Sequence, residues 1–343
     1  MILTLIEHEG GQPAEVSLQA LTLARRLAQG WASPQSGAGD ARSTSPAQAQ
    51  LAPAPLHAVA IGAAPSLADS LAAYGVEVLH LAQHDRLDQY APEAWAQAIV
   101  ELLTLQPKAI IAPGTERGNE VLAHVGARTG LPMAANCTDA QPGDPLRVTR
   151  VRWGGSLLED AQLGGAVKLL TVAPHSLAAE ATSPASSLTV RPFAPALTDK
   201  DFRVRVARRV MSDTGKVSLA DAKVVVGGGR GVANAESFRH LEALATLLGG
   251  VVGCSRAITS LGWRPHADQI GQTGTRIAPE LYIACGISGA IQHMVGCKGA
   301  KHLLAINTDR DAPIMLQADY AIIGDLHDVL PALCEALKKP PPA

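Results

Sequence analysis

Residues 281–293 read LYIACGISGAIQH, and this stretch predicts a strand, a tight turn and the start of a helix. The apolar run 281–285 has the length and composition of a buried strand. Gly286, Ser288 and Gly289 then favour a turn that leaves backbone N–H groups open, and His293 follows about one helical turn later. Because strands that end in glycines before a helix are typical of α/β sheets, the stretch indicates an α/β fold.

Four further apolar runs in the second half of the chain end in a similar way, in glycines or polar side chains. They are 223–226 before GGGRG (227–231), 250–253 before Cys254, Ser255 and Arg256, 303–306 before Asn307, and 320–323 before Gly324 and Asp325. The carboxyl ends of parallel strands share one edge of an open sheet, and ligands bind in the crevice there. The sequence therefore predicts a ligand crevice formed by these five endings.

The glycines indicate the kind of ligand. GGGRG and GISGAIQH both open predicted helices, where bare N–H groups and the helix dipole favour phosphate. However, Val232 stands where the GxGxxG dinucleotide fingerprint has its last glycine, and no carboxylate follows at the spacing of a ribose contact. The pattern favours a phosphate-bearing ligand other than NAD, with a purely structural glycine turn as the alternative.

The first half alternates short apolar runs with helical periodicity, which predicts βαβ units and a parallel sheet. Strands are expected at 2–6, 56–61, 76–81 and 109–112, and helices at 15–29, 66–74 and 93–103. The runs 148–153, 168–172 and 187–190 predict antiparallel strands added to the sheet edge. In the second half, helices are expected at 234–248 and 327–338.

These patterns predict two domains. An N-terminal parallel-sheet α/β domain is expected at 1–190, and a C-terminal doubly wound parallel-sheet domain at 206–343, joined by a proline-rich linker at 191–205. Residues 33–55 lack apolar periodicity and are rich in Ala, Ser, Pro and Gln, which predicts a disordered insertion. Residues 115–117 follow a strand end and are expected in a surface loop or interface, with ligand contact as the alternative.

Composition excludes several classes of protein. The net charge of −2 and the aromatic content of 3% are unlike a nucleic-acid-binding surface. Five cysteines without CxxC spacing favour buried thiols over a metal or iron–sulfur site. No apolar run has the length of a membrane span, and MILTLIEHEG shows no targeting pattern, so a cytoplasmic protein without membrane insertion is expected.

The motifs GGGRGV, GCSRA, QIGQTGTRIAPELYIACGISGAIQH, AINTD, APIM, ADYAIIGD and LHDVLP together resemble the alpha subunit of electron transfer flavoprotein. The resemblance covers about residues 224–333, and IIAPGTERGNEVLAHVGARTGLPM (110–133) extends it more loosely into the first half. It implies a heterodimer with a beta subunit, FAD held in the C-terminal domain, and electron transfer from flavoprotein dehydrogenases, as in fatty acid beta-oxidation. The implied acceptor is a membrane quinone oxidoreductase or another protein.

The resemblance also implies roles for individual residues. Those implied near the pyrophosphate and ribityl chain are Arg230, Gly286, Ser288, Gly289 and Ala290. Those implied at the isoalloxazine ring are Ser255, Arg256, Gln272 and Thr273, with Gln292 and His293 at the ribityl chain and pyrimidine end. Those implied at the adenosine half are Asn307, Asp325 and Leu326.

The same residues also have structural interpretations that involve no ligand. Thr273 and Asp325 are also residue types that cap helices, Arg256 would fit a surface ion pair, and a histidine such as His293 is often simply buried and hydrogen-bonded. Two other functions stay open at this point, an NAD-dependent transferase and a non-redox adenine-nucleotide-binding module. The first would require a catalytic base and an NAD fingerprint, which the sequence does not show at suitable spacing.

Overall fold

A computed structural model describes residues 1–31, 33–34, 51–63, 65–155, 157–182, 188–207 and 217–338. The chain divides into two compact units. The first includes Met1–Trp153 and Leu157–Val210, and the second includes Met211–Ala343. Each unit has a sheet with helices, so the chain has a two-domain α/β fold, as predicted.

The first unit is built on a nine-stranded sheet. Its strands are β1 (Ile2–Ile6), β2 (Leu56–Ile61), β3 (Val78–Ala82), β4 (Ala109–Pro113), β5 (Met133–Gln141), β6 (Leu146–Arg152), β7 (Leu157–Leu163), β8 (Lys168–Val172) and β9 (Thr189–Phe193). Its helices are α1 (Glu15–Gly30), α2 (Leu67–Ala72), α3 (Pro92–Glu101) and α4 (Glu116–Thr129). The strand order is β7-β6-β5-β8-β4-β1-β2-β3-β9.

Only one end of this sheet is antiparallel. β6 pairs antiparallel with both β5 and β7, which agrees with the antiparallel strand predicted at 148–153. The antiparallel predictions for 168–172 and 187–190 are wrong, because β8 pairs parallel with β4 and β5, and β9 pairs parallel with β3. A short apolar run identifies a strand but carries no information about the direction of its neighbour.

Helix α4 was not predicted, although its sequence has both a cap and an apolar stripe. The Thr115 hydroxyl accepts a hydrogen bond from the Gly118 amide at 2.9 Å and so caps the helix. Val121, Leu122 and Val125 are buried on the side that faces the sheet. Residues 116 and 117 are therefore helical, and Thr115 has a structural role, which corrects the surface loop expected at 115–117.

Two segments of the first unit bear on the predicted domain boundaries. Within 33–55, Ser33–Pro34 pairs antiparallel with Leu51–Ala52, and residues 35–50 lie outside the described part of the chain. The predicted linker at 191–205 overlaps β9 and a 3-10 helix at Asp199–Phe202. Phe202 is buried in the core beneath α3 and α4, so this part of the segment belongs to the first unit.

The second unit is built on a five-stranded, all-parallel sheet. Its strands are β10 (Val224–Gly228), β11 (Val251–Cys254), β12 (Leu281–Cys285), β13 (His302–Asn307) and β14 (Tyr320–Ile323), in the order β11-β10-β12-β13-β14. Its helices are α5 (Phe238–Leu247), α6 (Arg256–Ser260), α7 (Ile291–Cys297) and α8 (Leu326–Leu337).

The order of these strands creates a topological switch point. The chain leaves β10 for β11 on one side and later returns to place β12 on the other side. The loops after β10 and β12 therefore diverge, and a crevice opens between them at the carboxyl edge of the sheet. Neither unit has a helix long and apolar enough to cross a membrane within the part of the chain described here.

A candidate FAD cleft in the second unit

A cleft of about 570 Å³ lies at this switch point. Its walls come from the loops that follow β10, β11, β12 and β13, together with residues 269–273. This volume is in the range of small-molecule and cofactor sites. The five convergent strand endings predicted from the sequence thus meet at one edge, and four of them form the cleft.

Most of the predicted binding residues line this cleft. They are Arg230, Ser255, Arg256, Gln272, Thr273, Gly286, Ser288, Ala290, Gln292, His293 and Asn307. The sequence reasoning did not identify several other residues of the wall, of which Gln269, Gly271 and Asp309 are examples. The pattern of strand endings therefore located the site, while these three residues were not singled out although they lie within the quoted motifs QIGQTG and AINTD.

Three predicted residues do not reach the cleft wall. Asp325 follows the edge strand β14, which β13 separates from the switch point, and its carboxylate accepts from the His327 amide as the cap of α8 at 2.9 Å. Leu326 is buried in the core. Gly289 has φ +85° and packs so closely on Ile314 that a Cβ would lie 2.5 Å from the Ile314 nitrogen. Structural roles account for all three residues.

Close packing explains the glycines of GGGRG. A Cβ at Gly227 would overlap the hydroxyl of Tyr282, and a Cβ at Gly229 would overlap the carbonyl of Gly286. At Gly231 a Cβ would lie 2.6 Å from the Gly286 Cα. The amides of Gly229 and Gly231 already donate to Cys285 and Gly286. These glycines hold the two loops of the switch point together, so the phosphate cradle predicted for their own amides is not what they form.

The loop after β12 does leave backbone donors open. Among the described residues, no group accepts a hydrogen bond from the amides of Ser288 or Ala290, and both residues are exposed on the cleft wall. The Ser288 carbonyl, in contrast, accepts from the Ile314 amide at 3.1 Å. The loop is thus anchored through its carbonyl side, while its N–H side is available to an anionic ligand.

Two cations face the same cleft. Arg230 and Arg256 are both exposed on its wall, and no carboxylate in the described ranges lies within ion-pair distance of either guanidinium. Arg264, by contrast, is paired with Glu242 and Asp268. Unpaired guanidinium groups beside open amides suit a pyrophosphate or another anionic group.

His293 is held in its uncharged form. It is 7% exposed, and burial lowers its pKa to about 4, an effect that the backbone of Ile270 partly opposes. Its Nε2 atom lies 2.7 Å from the hydroxyl of Tyr282, which is fully buried and whose pKa burial raises well above the usual value. With this pKa, His293 carries no positive charge at neutral pH in this structure.

Two arrangements of the proton fit the contact between His293 and Tyr282. Either the Tyr282 hydroxyl donates to Nε2 and the imidazole proton resides on Nδ1, or Nε2–H donates to the hydroxyl oxygen. In both arrangements Nδ1 is buried and has no hydrogen-bond partner among the described residues. A buried polar atom without a partner is costly and marks a place where a bound group or a small shift of the ring would supply one.

The Asn307 side chain organises the end of β13. Its Nδ2 donates to the Ile287 carbonyl at 3.0 Å, and its Oδ1 accepts from the Asp309 amide at 3.1 Å. The amide thus links the loop after β12 to the loop after β13. Asn307 lines the cleft, but its best-defined contacts hold the wall in place.

Comparison with known proteins follows the same division of the chain. Residues 218–298 match the electron transfer flavoprotein FAD-binding domain, and residues 43–198 match the electron transfer flavoprotein domain. The fit of open amides and unpaired guanidinium groups to an anionic cofactor agrees with the first of these matches, and FAD is the cofactor that this family binds.

Individual relatives match along most of their length. The chain is 33% identical to an electron transfer flavoprotein subunit alpha of Mycobacterium leprae, with 98% of each chain covered. It is 34% identical to the subunit alpha of Thermoanaerobacterium thermosaccharolyticum, over 80% of this chain and 84% of that one. It is 37% identical to protein FixB of Bradyrhizobium diazoefficiens, over 77% and 73%. The chain belongs to the electron transfer flavoprotein alpha subunit family.

Proposed function

We propose that this chain is the FAD-carrying subunit of a heterodimeric electron carrier and that FAD lies in the switch-point cleft. The observation that carries the proposal is that one cleft is lined both by two unpaired guanidinium groups, Arg230 and Arg256, and by the open amides of Ser288 and Ala290. The beta subunit is the partner that the family implies. FAD supplies the redox chemistry, and the protein orients it and sets its potential.

The positions of the cleft residues support a proposal for which part of FAD each of them would contact. Arg230 and the loop at 286–290 would hold the pyrophosphate and ribityl region, since they combine a cation with backbone donors. Arg256, Gln272 and Thr273, which also line the cleft, would lie against the isoalloxazine ring. The adenosine roles of Asp325 and Leu326 have no support in the cleft geometry.

This arrangement needs no nucleophile and no general base. The cleft-lining histidine is neutral and hydrogen-bonded, and the buried thiol of Cys254, which precedes Ser255, has a pKa raised to about 12 by burial. A thiol with such a pKa is protonated at neutral pH and is therefore a weak nucleophile. We infer a cytoplasmic electron carrier that accepts electrons from flavoprotein dehydrogenases, including those of fatty acid beta-oxidation, and delivers them to a membrane quinone oxidoreductase or another acceptor.

Co-purification of the chain with its beta subunit tests the proposal. We expect a yellow complex with flavin absorbance, from which acid releases FAD and to which added FAD restores the colour. A matched variant, Arg230→Ala, should retain less FAD after dialysis than the control Arg239→Ala, whose exposed side chain lies outside the cleft on α5. A complex that stays colourless after FAD reconstitution would contradict the proposal. Turnover of NAD, or binding of AMP without flavin, would favour the alternatives.

A further inference from the structure

A chain of hydrogen-bonded side chains runs along the cleft wall from α6 to the loop at 270–275. Thr259 Oγ1 donates to Gln269 Oε1 at 2.8 Å, and Gln269 Nε2 donates to Thr273 Oγ1 at 3.0 Å. Thr259 Oγ1 also lies 3.0 Å from the backbone carbonyl of Arg256, so its single proton is shared between these two acceptors. We call the side chains of Thr259, Gln269 and Thr273 the polar link. It joins Arg256 to Thr273, and both of these residues line the cleft.

The polar link fixes the direction of the Thr273 hydroxyl. A threonine hydroxyl has one proton to donate and can accept in addition. Because Thr273 Oγ1 accepts from Gln269, its own proton is left for another acceptor, and none of the residues described here takes it. Thr273 is exposed on the cleft wall. Its hydroxyl is therefore presented as a hydrogen-bond donor to whatever occupies the cleft.

Gln269 is built into the structure at this point. Gln269 is only 2% exposed, and its backbone carbonyl accepts a hydrogen bond from the Thr275 amide at 2.7 Å. A Cβ at Gly274 would lie 2.9 Å from the Gln269 Cγ, so the loop closes tightly around this side chain. The Gln272 amide donates to the Gln292 carbonyl at 2.8 Å, which ties the same loop to α7. A shift of Gln269 would consequently move the loop that carries Thr273.

We propose that Gln269 is a positioning residue for the flavin, because it holds Thr273 as a donor at a set distance from Arg256. The proposal rests on the proposed function, since it assumes that the isoalloxazine ring lies between these two residues. Electron density on the ring rises on reduction, so a donor held in place stabilises the reduced form more than the oxidised form. Gln269 contributes through the geometry of Thr273, which the polar link connects to the backbone of Arg256.

The test uses Gln269→Met in the full chain co-purified with its beta subunit. Methionine is similar in length but forms neither hydrogen bond. We expect the FAD content to equal that of the parent complex. At a fixed potential, the ratio of reduced to oxidised flavin should fall about fivefold, because the loss of one neutral hydrogen bond changes an equilibrium by about this factor. That change lowers the first reduction potential by ~40 mV. Gln317→Met is the matched control, since Gln317 lies outside the cleft.

A double-mutant cycle separates this role from a purely structural one. If Gln269 acts through Thr273, then Gln269→Met should cause little further shift in a Thr273→Val background. Equal shifts in both backgrounds would overturn the proposal. If Gln269→Met does not fold, Thr259→Val breaks the far end of the polar link. It should then lower the potential in the same direction, and an unchanged potential would overturn the proposal as well.

Hydrogen exchange supplies a measurement that does not depend on flavin. The amides of residues 270–275 should exchange faster in Gln269→Met than in the parent chain, while those of β12 should not change. Unchanged exchange in 270–275 overturns the polar link whether or not FAD is bound. A parent complex that takes up no FAD, with faster exchange in the variant, would instead contradict only the proposed function.

Discussion

Replacing Arg256 with alanine should lower the first reduction potential of the bound flavin and leave FAD in place. Arg256 is exposed on the cleft wall and has no carboxylate partner within the described ranges, so its charge is not neutralised by the protein. Reduction by one electron places negative charge on the ring system, and a nearby fixed cation favours that form. Retention of FAD is expected because Arg230 and the open amides of the 286–290 loop stay unchanged.

The size of the effect follows from the exposure of Arg256. A cation at a contact distance of about 4 Å from the developing charge is worth about 4 kcal/mol at an effective dielectric constant of 20. Arg256 lies at an open wall, where water screens the charge further. If half of that energy is retained, about 2 kcal/mol, its loss in Arg256→Ala lowers the first reduction potential by ~85 mV. The conversion uses ~59 mV for each tenfold change in the equilibrium constant of a one-electron reduction.

The assay is a stepwise reductive titration of the complex with a reference dye of known potential. Arg256→Lys should have a first reduction potential close to that of the parent, since the charge is kept. The exposed control Arg239→Ala should have the same first reduction potential as the parent. The difference between Arg256→Ala and the parent should shrink at high salt, because the site is open to counterions. A first potential equal to that of the parent, in an Arg256→Ala complex that still holds FAD, would refute the charge role.

Three further predictions follow from buried groups. Gly227→Ala should destabilise the fold by about 1–3 kcal/mol in urea denaturation, since the new Cβ overlaps the Tyr282 hydroxyl, and unchanged stability would contradict that packing. The low pKa of His293 means that stability is fully present above about pH 6.5 and is lost as pH falls toward 4. His293→Gln should flatten that loss, although His57, with a pKa also near 4, maintains part of it. The Cys285 thiol, whose pKa burial raises to about 12, should react with a thiol reagent only after denaturation, and rapid labelling of the native chain would contradict its burial.

The position of the site could be predicted from the sequence because it depends on local patterns. Apolar runs that end in Gly286, Ser255 or Asn307 identify both the strands and the edge at which they finish. Parallel strands bring such endings together whatever the order of the strands in the sheet. The same reasoning expects Asp325 in the crevice, whereas Asp325 follows the edge strand β14 and is not among the residues that line the cleft, because strand order decides how far each ending lies from the switch point.

Other features depend on contacts between distant residues and could not be predicted. The polar role of Gln269 requires Thr259 and Thr273 on either side of it, and nothing in the string QIGQTG indicates which glutamine faces inward. The neutral state of His293 depends on its burial in the folded chain, which the local sequence does not indicate. Strand direction in the first unit was also missed, since β8 and β9 have the same apolar pattern as antiparallel strands.

The two sheets of this chain have related switch points but differ in what fills them. In the first unit the switch lies between β1 and β4, since β2 and β3 extend from one side of β1 and β4 lies on the other. Glu7, which follows β1, accepts a hydrogen bond from the Thr115 hydroxyl at the start of α4, and burial raises the pKa of this carboxyl group. The place at a helix N-terminus where a ligand phosphate would bind is thus taken by a side chain of the protein.

In the second unit Asp309 lines the cleft, but among the described residues no acidic side chain lies within ion-pair distance of the cleft's two arginines. The wall presents the guanidinium groups of Arg230 and Arg256 and the open amides of Ser288 and Ala290, none of which has an internal anion as a partner. The contrast explains why one sheet of this pair is suited to an anionic cofactor and the other is not, although strand topology is alike at both edges. The topology of the fold creates the crevice, and the charges of the few residues at the strand ends determine whether the crevice is suited to an anionic ligand.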